Sequence, residues 1–184
     1  MTKREITKLF SVMMLAWPNA EMFKGGMQKL GPTISLWAMC LEDVDFWTGQ
    51  QAVVRLCQEC KFPPAIAEFK EKAEAVRQEL RAEINKAWDC LKLAISISSP
   101  QKAFDKLSDG KTREAILALG GTKGLIMRSE KIFPDGRRIP YARYNYEGFC
   151  REYERILRGN ASQFFPVKSG EANSEVKRIG GKTE

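Results

Sequence analysis

The chain has no histidine among its 184 residues. A Ser-His-Asp or Cys-His nucleophile, an HExxH zinc site and a histidine general base are therefore excluded. Any catalysis would fall to carboxylates, Lys, Tyr or Cys. Long apolar runs are also missing. No stretch approaches the ~20 uninterrupted apolar residues of a spanning helix, so no membrane partner is expected. Cysteine is sparse and odd in number: Cys40, Cys57, Cys60, Cys90 and Cys150. Such a scattered set is not a disulfide framework. Cys57-Gln58-Glu59-Cys60 is a C-x-x-C, but it lacks the second ligand pair a zinc site needs and sits in a helical neighbourhood. Both thiols fall on one helix face and are expected to be buried and structural. No metal or cofactor is expected.

What is present is an ordinary folded composition: 43% hydrophobic and 29% charged residues. This length suits one domain or two small ones. The 30 Lys and Arg exceed the 23 Asp and Glu, but not evenly. Residues 1–122 are nearly balanced, whereas residues 123–158 hold nine cations against five carboxylates. That late basic segment suits nucleic-acid phosphate, an acidic protein surface, or simply a solvated face. The apolar run Leu9 to Trp17 follows Lys3-Arg4, but it ends at Trp17-Pro18 without a small-residue cleavage site, and Met22 and Phe23 continue the apolar content. It therefore reads as a helix rather than a leader, and a cytoplasmic protein is expected.

The periodicity predicts a mainly all-α fold of two small helical modules joined by a long charged helix. Thr2 and Glu5 form a capping box for a first helix whose Ile6, Leu9, Phe10, Met13, Met14 and Trp17 share a face. Asn19 to Pro32, with its glycines, reads as a loop. Thr33 is the expected cap of a second helix, striped by Ile34, Trp37 and Leu41. Asp43 or Asp45 caps a third, and Pro64 opens a fourth, with Phe62 as an anchor before it. Between about 72 and 84 that helix is rich in alternating charge and thin in apolar residues, the mark of a helix bridging two bodies. The expected organisation is a docking module at 1–71, a connecting helix at 72–84, a second module at 85–158 and a disordered tail at 159–184.

In the second module, Ile84, Trp88, Leu91, Ala94 and Ile95 form one stripe, Ser99-Pro100 starts a helix, and Asp109-Gly110 reads as a turn. Arg113 to Leu119 is a short helix stopped by Gly120-Gly121, with one further turn over Gly124 to Met127. Phe133-Pro134-Asp135-Gly136 has turn chemistry. It either joins two short strands as a β-hairpin near 131–146 or sits in an irregular loop. Tyr146 to Leu157 is the last amphipathic helix, with Gly159 as its stop.

Three motifs touch on chemistry. Gly110-Lys111-Thr112 resembles the end of a phosphate loop, but Asp105 stands where the earlier glycine is required. Glu42, Asp43 and Asp45 lack the spacing of a calcium loop, and helix capping accounts better for Asp45. Arg137, Arg138, Tyr141, Arg143, Tyr144, Tyr146 and Arg151 interleave guanidinium and ring. That composition serves single-stranded nucleic acid, and equally a protein–protein hot spot or the cover of a last helix.

Two parts of the chain resemble a known family. The first is Thr2-Lys3-Arg4-Glu5, then Trp17-Pro18-Asn19, Leu36-Trp37 with Leu41, and Lys61-Phe62-Pro63-Pro64-Ala65-Ile66-Ala67-Glu68-Phe69. The second is Ala87-Trp88, Ala103-Phe104 with Leu107, Ala118-Leu119-Gly120-Gly121, and Phe149 with Tyr153. In order and spacing they resemble the phage replicative-helicase loader and inhibitor family, most specifically through the Phe-Pro-Pro-x-Ile-Ala-Glu element. The segment Phe133 to Tyr146 is not part of that pattern.

The resemblance implies a non-enzymatic DNA-replication accessory protein. It would bind and inhibit a hexameric DnaB-type helicase, meet an origin-binding initiator, and release the helicase onto single-stranded DNA. Direct contact with that DNA is a further expectation for the basic-aromatic segment. The physical choices for partner contact are Trp37 and Phe62, which either face a partner or belong to the core, and Arg137, Arg138, Tyr141, Arg143, Tyr144 and Arg151. Two other readings compete: a DNA-binding replication or regulatory protein without a helicase partner, and a phage inhibitor of another host factor.

Overall fold

A computed structural model describes residues 1–134 and 136–159. The chain is mainly helical there: α1 (Lys3–Ala16), α2 (Gly31–Cys40), α3 (Phe46–Glu59), α4 (Ile66–Ile97), α5 (Pro100–Lys106), α6 (Gly110–Ala118), α7 (Thr122–Leu125), then β1 (Ile126–Ile132), β2 (Arg138–Tyr144) and α8 (Tyr146–Gly159). The expected tail lies, from residue 160 on, outside the described residues.

Most helix starts follow from local chemistry. The Thr2–Glu5 capping box is formed, with the Thr2 N–H donating to the Glu5 carboxylate at 2.8 Å. Asp45 caps α3 through the Thr48 N–H at 3.1 Å, and Ser99 caps α5. Two expected starts move. The second helix begins at Gly31 with Pro32 in its first turn, ahead of Thr33, because proline's missing N–H costs nothing there. The Asp109-Gly110 pair is a helix start rather than a free turn: Asp109 accepts from the Lys111 and Thr112 N–H groups at 3.1 and 3.2 Å. The stretch expected as a loop from Asn19 to Pro32 contains two short 3-10 turns, Glu21–Phe23 and Met27–Leu30, which place Phe23 and Leu30 in the core.

Buried residues fall into two clusters. The first unites α1, α2, α3 and the start of α4 around Ile6, Phe10, Trp37, Leu41, Val53 and Phe69. Its centre is a chain of edge-on rings: Phe10 to Trp37 at 5.1 Å and 85°, then Trp37 to Phe69 at 5.4 Å and 70°. Such pairs add about 0.5–1.5 kcal/mol each beyond burial. The second cluster joins the far half of α4 to α6, α7 and α8 around Trp88, Leu91, Ile116, Leu125 and Phe149.

Helix α4 serves both. The segment expected to be polar all round keeps an apolar stripe: Phe69, Ala73 and Val76 are buried toward the first cluster, and Leu80, Ile84, Ala87, Trp88 and Leu91 pack into the second. Only one small or branched residue per turn is needed to keep the stripe continuous, so it is thin in the sequence. The charges beside it reach across to other helices rather than along α4. Lys72 meets Glu59, Glu79 meets Arg55 and Glu83 meets Lys111.

Helix α6 ends in two left-handed glycines, Gly120 at φ +90° and Gly121 at φ +74°. The Gly121 N–H donates to the Ile116 carbonyl and the Gly120 N–H to that of Leu117, each at 2.9 Å. This is the double bond pattern that closes a helix with glycine. The further helical turn expected to reach Met127 stops at Leu125, and the chain becomes a strand at Ile126.

Replacing Phe10 or Trp37 by Ala should lower unfolding free energy by about 3–5 kcal/mol in denaturant titrations followed by circular dichroism. Gly120→Ala should cost about 1–2 kcal/mol, because a Cβ is strained at positive φ.

Candidate partner-binding surface

The structure separates the residues singled out by composition. Trp37 is 4% exposed at the centre of the first cluster. It is not a docking aromatic, because its ring faces Phe10 and Phe69 from inside the helix packing. Phe62 is the opposite case, at 71% exposed. The expectation that it anchors the start of α4 is corrected: Pro64 is the buried residue of that connector. The connector is pinned from behind, where the Trp17 indole N–H donates to the Cys60 carbonyl at 3.2 Å. Phe62 is therefore held outward on a short, proline-stiffened segment, with the Lys61 ammonium 5.8 Å from its ring centre.

The remaining aromatic and basic residues lie on or beside a two-stranded antiparallel hairpin. It begins earlier than expected, at Ile126 rather than near 131. The register pairs Ile126 with Tyr144, Ser129 with Tyr141 and Ile132 with Arg138. The turn is as the sequence implied. The Gly136 N–H donates to the Phe133 carbonyl, and the Phe133 N–H to that of Arg137, each at 2.9 Å, with Gly136 at φ +82°. Pro140 is tolerated in β2 because both strands of a two-stranded sheet are edges.

Strand alternation sorts the candidates by face. Tyr141 and Arg143 share one face with Met127, Ser129 and Lys131. Arg138 and Tyr144 lie on the other, with Arg128 and Glu130. Tyr144 is the base of the hairpin rather than a free ring, its centre 6.5 Å from that of Trp88. Arg138 lies 3.6 Å from Glu130. Arg137 sits at the tip, with its guanidinium 5.7 Å from the Phe133 ring centre. Arg151 is on neither face. It belongs to α8, exposed beside an open cleft of ≈ 520 Å³ between α4 and α8 that Arg81, Ile84, Tyr146, Glu147, Cys150 and Glu154 help to line.

That cleft is poorly suited to chemistry. Its cations and carboxylates balance, and burial pushes the Cys150 thiol up, away from a reactive thiolate. Cys57 is likewise raised, by burial and then by Cys60. Both Cys57 and Cys60 are half-buried against the first cluster rather than fully inside it. At the Gly110-Lys111-Thr112 motif, the N–H groups that a phosphate would need are already taken by Asp109, and the Lys111 ammonium is 2.8 Å from Glu83. Among the described residues no group of three or more Cys, Asp and Glu is placed to hold a metal ion, and no helix is long and apolar enough to cross a membrane.

Sequence reading missed two surface features. Leu36 and Met39 on α2 and Leu15 on α1 are exposed apolar side chains. A helix apolar on every side, such as α2, was the available signal. The second is Arg158, at the end of α8. Its guanidinium stacks 5.4 Å from the Trp47 ring centre and meets Asp45 at 3.1 Å and Glu154 at 2.5 Å. It ties α8 to the cap of α3 across 113 residues, and no local pattern announces it.

Asp45 and Asp109 are the two capping carboxylates with several donors. Burial raises the pKa of each, but the bonds win. Asp45 is lowered by Thr48 and by the charges of Arg158 and Arg77, Asp109 by Thr112, Lys111 and Tyr153. The stabilisation they supply is present above the ordinary value of 3.8 and is lost as pH falls through their lower native values. Thermal melts should therefore show an acid limb below about pH 4. Asp45→Asn with Asp109→Asn should start lower and show a shallower limb. Burial first, and then the charge of Asp109, pushes Tyr153 up to about 12, so the second cluster keeps a neutral phenol through the neutral range.

No curated protein and no solved structure matches the chain. A protein family does. Residues 1–70 hold α1, α2, α3, the Phe62 connector and the start of α4, and they match the family model for the N-terminal domain of the phage gene 39 protein, a helicase loader and inhibitor. That match supports a phage helicase loader and inhibitor family for the N-terminal part of this chain.

Proposed function

We infer that the chain is a phage DNA-replication accessory protein that binds a hexameric replicative helicase of the DnaB type, holds it inactive and loads it at an origin. The observation that carries this reading is the match of residues 1–70 to the N-terminal domain of the phage loader family. The order of motifs agrees with it, from the Phe62-Pro63-Pro64 connector to the Gly120-Gly121 helix end and the Phe149–Tyr153 pair. An origin-binding initiator is its second protein partner, and the host cytoplasm its place of action.

The mechanism needs no catalytic group in this chain. A protein that prefers one conformer of the helicase shifts the population toward it and suppresses turnover by differential binding alone. The organisation proposed is a docking module at 1–71, a connecting segment at 72–84 and a second module at 85–158. Phe62 and Arg151 are the protein-contact residues kept from the sequence analysis. Phe62 offers an exposed ring on a stiff connector, and Arg151 a charge on the outer side of α8.

Size-exclusion chromatography of this protein with the cognate replicative helicase and ATP should show a co-eluting complex, and the helicase ATPase should fall. Phe62→Ala should weaken that complex about tenfold while moving stability by no more than about 0.5 kcal/mol, as for an exposed side chain. Absence of a complex at micromolar concentration would sink the reading.

A further inference from the structure

We propose that the outward face of the β1–β2 hairpin is a binding site for single-stranded DNA, with Tyr141 as a stacking platform between Lys131 and Arg143. The assignment does not rest on the helicase reading.

Position is the first observation. The hairpin joins the second cluster at its base, through Ile126 and Tyr144. Beyond the base, every described side chain of the two strands except Ser129 is exposed. Fold stability does not account for that outer part. Exposed Met127, Ile139 and Tyr141, each about half accessible, add little to the core.

Charge is the second. Between Ile126 and Tyr144 there are five Lys and Arg and two Asp and Glu. The described carboxylate, Glu130, lies on the face of Arg138 and is within 3.6 Å of it. Among the described residues the opposite face carries no carboxylate. Its cross-strand pairs are Met127 with Arg143, Ser129 with Tyr141, and Lys131 with Ile139. The sheet therefore places one cation near the base, one near the tip and a ring midway, flanked by apolar side chains. Four strand residues at ~3.3 Å each put the two cations about 13 Å apart, a span that a short oligonucleotide crosses.

The combination selects the ligand. A polyanion satisfies the two cations, and counterion release favours it. The ring and its apolar flanks are poor partners for a phosphate but good ones for an unstacked base. A duplex keeps its bases stacked on one another, and an acidic protein surface offers no planar group to Tyr141. At the tip a second ring, Phe133, lies 5.1 Å from the Lys131 ammonium and 5.7 Å from the Arg137 guanidinium, repeating the pairing of ring and cation. Single-stranded DNA meets both demands.

The test is fluorescence anisotropy of a labelled 20-nucleotide oligo(dT) with the full chain, from 50 to 300 mM salt. Saturable micromolar binding is expected, with log affinity falling linearly against log salt. Tyr141→Ala should weaken binding about tenfold with the salt slope unchanged. Arg143→Glu should weaken it and flatten the slope, by about 0.7 for one lost phosphate contact. Lys29→Glu, on the other cluster, should change neither. Circular dichroism melts will show that these exposed substitutions leave the fold intact. No binding at micromolar protein overturns the assignment, as does tighter binding to the matching duplex, or affinity indifferent to Tyr141 and Arg143. Helicase co-elution is measured separately and should survive Tyr141→Ala, so failure of either reading is told apart from failure of the other.

Discussion

The structure depends on one helix burying two different lengths of the same stripe. Helix α4 spans 32 residues, about 48 Å at 1.5 Å per residue. Its first third packs with α3 and the Phe10–Trp37–Phe69 rings, its last half with α6 and α8. A helix of this composition gains little from intrinsic propensity. Its stability comes from the apolar face that its neighbours cover. Because the stripe is continuous, the rotational setting of α4 in the first cluster fixes which residues it offers to the second.

Polar contacts then position what burial has brought together. The exposed pairs of Lys72 with Glu59 and Arg55 with Glu79 contribute little energy each, as surface ion pairs do. Their value is register, since each tests whether α3 and α4 are correctly rotated. Arg158 does this over a longer distance. By sharing its guanidinium among Asp45, Glu154 and the Trp47 ring, it places the end of α8 against the start of α3. Asp45 thus serves as a helix cap and as the partner of that arginine.

The outer part of the hairpin stands apart from both forces. Its strands pair with each other, its turn is closed by Gly136, and Trp88 holds its base through Tyr144. Little beyond the base is buried. The side chains there are consequently free to carry charge and rings without cost to the core, as suits a surface that meets a partner.

Much of this was legible in the residues. Local rules determined the capping box at Thr2, the Asp45 and Ser99 caps, the glycine closure of α6 and the turn at Phe133 to Gly136, because each is set by groups within a few positions of one another. Periodicity determined the all-α character and most of α1, α3 and α8. The Phe-Pro-Pro-x-Ile-Ala-Glu element pointed to the family that residues 1–70 match. Tertiary structure alone decided the rest. Trp37 and Phe62 looked alike as aromatic candidates, yet one became core and the other surface, since burial depends on which neighbours arrive. The α4 stripe became visible only when Ala73 and Leu80 met partners from distant segments. The faces of the hairpin, and the bond of Arg158 to Asp45, depend on a strand register and a helix end brought together through space, and contacts of that range leave no periodic trace in a chain.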